Sequence, residues 1–153
     1  MEDIFPTQGK LIAYVDGSYN PDLHKYAFGC VLISSDKEVV ERSGSGSSED
    51  CAAIRNVAGE MLGAMYAARY ACVKGYQELE IRYDYEGIEK WVTGAWKAKK
   101  ELTQKYAAYM KSRQQYIQIF FTKVRAHSGN QYNDRADALA KAALLEPDGV
   151  PEI

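Results

Sequence analysis

The most restrictive feature of this chain is the order of its apolar segments. Three short strand-like runs come first, and helical and strand-like patterns alternate after them. Residues 10–15 form a nearly continuous apolar run ending at Asp16-Gly17, the pattern of a buried strand. Residues 26–33 and 38–42 read as two more strands, the first two being separated by the turn-like Asn20-Pro21-Asp22. The Gly/Ser run 43–48 reads as a flexible loop, either a solvated linker or a phosphate-binding nest. A long helical pattern follows over 52–74, and Gly75 stands where a helix C-terminus is expected. Beyond it, 78–83 reads as a strand, 86–96 and 102–113 as helices, 116–124 as a strand and 133–145 as a final helix. Three strands followed by this alternation imply an α/β chain with a five-stranded mixed sheet flanked by helices.

With 153 residues the chain falls in the one-domain range and can bury a sizeable core. Residues 1–9 look like an N-terminal extension or linker remnant, 10–145 like the domain itself, and 146–153 like a tail that frays. No apolar stretch approaches a membrane span and no secretory signal pattern opens the chain. Cys30, Cys51 and Cys72 are odd in number and lack metal-type spacing, which suggests reduced thiols and a cytoplasmic setting.

Four acids stand in recognisable settings: Asp16, Glu60, Asp84 and Asp137. Asp16 ends the first strand on the face of Ile12 and Tyr14, yet Asp-Gly is also a common turn pair. Glu60 shares its helix face with Ala64, Ala67 and Ala71, a small-residue stripe suited to close packing on a sheet, although a first-turn glutamate also favours the helix dipole. Asp84 sits between a strand and a helix, where an N-cap also belongs, and Asp137 lies early in the last helix. Singly, each has an ordinary structural explanation. Together, acids at strand ends and helix faces can converge on one rim of the sheet. Ionised carboxylates beside apolar segments need compensation, and oxygen-only ligands point to magnesium or manganese.

The net charge of −2 gives no general sign of a nucleic-acid partner, but its distribution does. Between positions 90 and 125 there are nine basic residues against one acid, Glu101. Such asymmetry suits either a phosphate-attracting face or a solvated basic helix.

The ordered set resembles type I ribonuclease H over residues 10–145. It comprises Asp16-Gly17-Ser18, then Asn56 before Glu60, then Asp84 between strand and helix. His127-Ser128-Gly129 follows, ten residues before Asp137 and its Ala/Leu-rich helix. The resemblance implies a ribonuclease H-like fold and hydrolysis of the RNA strand of an RNA–DNA hybrid, leaving 5′-phosphate and 3′-hydroxyl ends. It implies that Asp16, Glu60, Asp84 and Asp137 hold two Mg2+ ions, with Mn2+ as a substitute, at the ~4 Å spacing of two-metal sites. His127 would assist proton transfer or product release. Gly17, Ser18 and Asn56 match positions that approach the RNA backbone, and Arg55 is close enough in sequence to meet a phosphate. Trp96 with Lys97, Lys99 and Lys100 could stack on and attract a strand, or simply pack a helix. The expected partner is an RNA–DNA hybrid, with no membrane, and the expected state a monomer.

Two departures from the family pattern stand out. Asn56 is followed by Val57, where many members have paired asparagines, and the basic insertion after the third acid is shortened to 91–100. The segments around Glu60 and Asp84 look most like the bacterial-type branch that often carries a small N-terminal hybrid-binding domain. That domain is absent here, so a naturally short form or a catalytic fragment is expected. The alternatives are a hybrid-binding module that no longer cuts and another two-metal nuclease of the same superfamily.

Overall fold

Apolar alternation and cross-strand pairing carry the first strand further than its sequence pattern suggests. In the computed structural model, which describes residues 6, 8–36, 38–48, 54, 56–125 and 130–153, β1 spans Lys10–Asn20. It pairs antiparallel with β2 (Lys25–Ile33), with Asp16 opposite Gly29 and Ser18 opposite Ala27. Asp16-Gly17 therefore lies inside a strand and is not a turn. The turn falls at residues 21–24, where Asn20 Oδ1 accepts from the amides of Asp22 (3.0 Å) and Leu23 (3.3 Å).

Strand β3 (Val39–Ser47) pairs with β2 along its whole length and includes most of the Gly/Ser run expected to be a loop. Small residues suit this edge because another segment lies against it. The amides of Ser45 and Gly149 exchange hydrogen bonds of 2.9 Å with each other's carbonyls. The C-terminal tail therefore does not fray. Buried Lys25 donates to the Glu146 carbonyl, and Ser47 Oγ donates to Asp148 (2.6 Å).

Helix α1 (Asn56–Val73) ends before Gly75, whose φ of +81° suits a left-handed stop. Then follow β4 (Glu78–Tyr83), α2 (Gly87–Thr93), α3 (Glu101–Arg113), β5 (Gln118–Lys123) and α4 (Gln131–Ala143). Helix α2 is shorter than its periodicity implied because Gly94, at φ +87°, closes it. The sheet order is β3-β2-β1-β4-β5, with β1, β4 and β5 parallel. This is the ribonuclease H-like α/β arrangement, with a five-stranded mixed sheet and four helices among the described residues.

The main core lies between the sheet and helices α1, α2 and α3, built on Leu11, Ala13, Val15, Leu79 and Ile81. Fully burying a side chain such as Leu79 or Ile81 contributes about 2 kcal/mol. Helix α4 packs on the other face over β1, β2 and β3. A smaller cluster fills that side: Ile12, Tyr14, Val31, Ile33 and Ala136. Cys30 and Cys72 are free thiols, and burial pushes the Cys30 thiol up. Among the described residues no helix is long and apolar enough to cross a membrane.

Candidate active site

Ligands of α/β sheets gather beyond the carboxyl ends of parallel strands. Asp16, within β1, and Asp84, just after β4, stand past the carboxyl end of the parallel ladder that joins those two strands. The last registered pair of β1 and β4 is Tyr14 with Arg82, and the two acids lie two residues further along each chain. Asp84 does not cap α2; that position belongs to Glu86.

Two glycines bring the other acids to this rim. Gly29, the partner of Asp16, lies so close to α4 that a Cβ there would be 2.0 Å from the Ala136 carbonyl. The next residue of α4 is Asp137. Gly59 of α1 presses on β1 and β2 in the same way. A Cβ would be 2.0 Å from the Ala27 carbonyl and 3.1 Å from Gly17 Cα. The next residue of α1 is Glu60. Each helix can approach the strands this closely because glycine presents no side chain at the crossing.

Glu60 is only 4% exposed, and its two oxygens accept the amides of Asp84 (2.7 Å) and Tyr85 (3.2 Å). Burial pushes its carboxyl up to about 8, against those amide bonds and with the charges of Asp16 and Asp84 adding to the rise. Asp16 accepts the Gly17 amide at 2.9 Å. Burial pushes it up to about 7, and Asp137, within hydrogen-bonding reach, and Asp84 push the same way. Asp137 also pairs with Lys141 one turn on, at 3.0 Å.

The acids therefore form two linked pairs, Asp16 with Asp137 and Glu60 with the Asp84 backbone. Among the described residues no three such side chains stand around one point in a ligand set. Glu60 accepts backbone amides, and Asp137 pairs with Lys141 while also reaching Asp16. The donor chemistry nonetheless fits a hard divalent cation. All four groups are carboxylates, and two hold protons well above the usual range because of burial and neighbouring negative charge.

The other sequence candidates divide. Gly17 is buried and Ser18 half-buried, both on β1 beside Asp16, and Asn56 opens α1. Arg55 and His127 lie outside the described residues. Lys97, Lys99 and Lys100 are exposed in the segment between α2 and α3. Trp96 meets Tyr85 and Trp91 edge-on, each ring at 6.0 Å, with the Lys90 ammonium 5.3 Å from its own ring centre. Tyr85 links this aromatic group directly to Asp84. Sequence reading passed over Tyr85 and Lys141; the signals were adjacency to one acid and i,i+4 spacing from another. A cavity of about 520 Å³, lined by Cys72, Tyr76, Gln77, Gln115, Tyr116 and Gln118, lies at the opposite end of β4 and β5 and holds none of the acids.

A mixed sheet with carboxylates from β1, the residue after β4 and two helices near one rim defines an α/β protein with an acidic rim. The chain matches the ribonuclease H family over residues 8–145 and belongs to it. It is 29% identical to a ribonuclease HI of Halobacterium salinarum, over 89% of this chain but 65% of that protein. It is also 29% identical to a ribonuclease H of Francisella philomiragia, over 95% of this chain and 98% of that one. The crystal structure of RNase H1 from Halobacterium salinarum superposes with a TM-score of 0.74 at 26% identity, covering 90% of this chain and 99% of that one. LC11-RNase H1 in complex with an RNA/DNA hybrid shares the fold, with a TM-score of 0.68 at 17% identity over 88% and 99% of the two chains.

Proposed function

We propose that this chain hydrolyses the RNA strand of RNA–DNA hybrids by two-metal-ion catalysis, leaving 5′-phosphate and 3′-hydroxyl ends. The observation that supports this best is the gathering of Asp16, Glu60, Asp84 and Asp137 at one rim of a ribonuclease H-family domain. These four carboxylates would hold two Mg2+ ions, or Mn2+. When bound, such ions supply an activated water and stabilise the leaving oxygen at phosphorus. Asp16 and Asp137 share the half-buried side of the rim. Glu60 ties α1 to the chain just after β4 through the Asp84 and Tyr85 amides, and would hold a cation from that position. His127 would assist proton transfer or product release.

Hybrid is told from DNA by its 2′-hydroxyls. Gly17 and Ser18 on β1 and Asn56 at the start of α1, together with Arg55, would meet the RNA strand. The Tyr85–Trp91–Trp96 group, with Lys97, Lys99 and Lys100, offers stacking surface and positive charge to a strand running over α2. The domain works as a monomer spanning residues 10–145, in the cytoplasm.

The test is cleavage of an end-labelled RNA–DNA hybrid with Mg2+ beside double-stranded RNA, double-stranded DNA and single-stranded RNA, with Asp16→Asn as control. Cutting of hybrid RNA alone, abolished in the variant, supports the proposal. Hybrid binding without cutting makes the chain a binding module, and DNA cutting moves it to another branch of the superfamily.

A further inference from the structure

One row below Asp16 and Asp84, on the same face of the same two strands, stand Tyr14 and Arg82. The guanidinium carbon of Arg82 is 5.2 Å from the Tyr14 ring centre, and Nη1 donates to the Tyr14 hydroxyl. Arg82 is itself held in place. Its Nε donates to Glu80 Oε2 at 2.9 Å, the Thr122 hydroxyl donates to the same oxygen at 2.9 Å, and Lys10 pairs with the other oxygen at 3.0 Å. A planar guanidinium fixed at both ends can orient a ring and its hydroxyl together.

Tyr14 passes this constraint to α4. Its ring lies 5.5 Å from that of Tyr132, and its hydroxyl accepts the Asn130 side-chain amide at 3.5 Å. Asn130 is the N-cap of α4; its Oδ1 accepts from the amides of Tyr132 (2.9 Å) and Asn133 (3.1 Å). The first turn of the helix that carries Asp137 is thus tied through Tyr14 to Arg82 on β4. The apolar cluster beneath α4 is built of few side chains, and its backbone rests directly on β2 at Gly29. The polar ties at its first turn add to that packing at the end of the helix nearest Tyr14.

We propose that Arg82, acting through Tyr14, is a positioning residue that sets the first turn of α4 and with it the placement of Asp137 against Asp16. Its catalytic meaning rests on the function proposed above, but its structural content does not.

The experiment pairs residue-resolved amide hydrogen exchange with hybrid-cleavage kinetics for Arg82→Gln and Tyr14→Phe, with Arg82→Lys as the conservative control. For Arg82→Gln we expect the Tyr132 and Asn133 amides to exchange about tenfold faster while α1 is unchanged. In the same protein kcat falls about tenfold with KM for hybrid held within about twofold, the mark of a changed reacting geometry. Tyr14→Phe moves both readouts in the same direction, and Arg82→Lys restores part of each. Unchanged protection at the start of α4 in both variants overturns the proposal, as does protection lost equally from α1 and α4. Should Arg82→Gln not fold, Tyr14→Phe decides alone. If the wild-type protein cuts no hybrid, the functional reading fails while the exchange result still judges this one.

Discussion

The two faces of the sheet are built to different specifications. On one, α1, α2 and α3 cover a continuous core from Leu11 to Ile117, and its strand side chains are apolar or aromatic apart from Arg42 of edge strand β3, opposite Cys30. On the other, α4 covers β1, β2 and β3 through a small cluster, while the side chains of Glu80, Arg82 and Thr122 form a polar array over β4 and β5. The thick face holds the fold together. The thin face tolerates charge, and Asp16 and Asp137 stand there. Glu60 is the exception that joins them, reaching from the thick face over the rim to the Asp84 amide. The acids gather where the apolar core runs out, because there a carboxylate can remain near water.

The largest break should come at the rim. Asp16→Asn or Asp137→Asn removes a proposed metal ligand, a loss worth several kcal/mol of transition-state stabilisation, so hybrid cleavage should fall by about 10³-fold or more. Single-turnover rates with Mg2+ check this, and a variant retaining more than a tenth of the activity would remove that acid from the site.

The comparison of faces is sharpened by two stability variants. Gly29→Ala drives a Cβ into the α4 backbone and should cost about 3 kcal/mol, with α4 displaced and activity lost. Leu79→Ala should cost a similar ~3 kcal/mol by opening a cavity in the thick core, yet leave the residual folded protein active. Denaturant melts alongside activity per folded molecule separate the two. If both variants lose activity only in proportion to unfolding, the thin face has no special hold on the site.

Titration gives a smaller effect with a definite sign. Asp16 and Glu60 keep their protons to about pH 7 and 8 in the folded protein, but release them near pH 4 when unfolded. The stability they contribute is fully present below about pH 4. It is lost as pH rises toward 8, because the unfolded chain then binds fewer protons than the native one. After discounting for solvent screening, metal-free protein should be about 1–2 kcal/mol less stable at pH 8 than at pH 5, or roughly 3–6 °C in Tm. Asp16→Asn should flatten this slope. Mg2+ should raise Tm more at pH 8 than at pH 5, since it binds the ionised groups. An equal rise at both would mean that the cation binds elsewhere.

The smallest expected change concerns the basic segment. Replacing Lys97, Lys99 and Lys100 by Gln should reduce the salt dependence of hybrid binding by about one unit of log–log slope for each phosphate no longer neutralised. Binding titrations across salt concentration read this directly, and an unchanged slope would leave these lysines as solvated surface.

Much of this architecture was legible in the chain. Apolar periodicity located the five strands and four helices of the described residues, because a residue's face is set by local spacing. The acids were found by their settings, and the stripe of Ala64, Ala67 and Ala71 placed Glu60 on a buried face, as its 4% exposure bears out. What periodicity could not supply was pairing. Asp16 lies within a strand rather than at its end because β2 continues beside it to Lys25. The Gly/Ser run 43–47 is strand because it has neighbours on both edges. The tail is docked because Lys25, Ser45 and Ser47 receive it.

The sequence by itself determined the order of elements, the face each presents to the core and the identity of the four acids. Only the tertiary structure decided which acids meet. Asp137 reaches Asp16 because Gly29 lets α4 rest on the strand, and Glu60 reaches Asp84 because Gly59 lets α1 do the same. Those meetings join residues far apart in the chain, and side-chain spacing within one element carries no information about how closely another can approach.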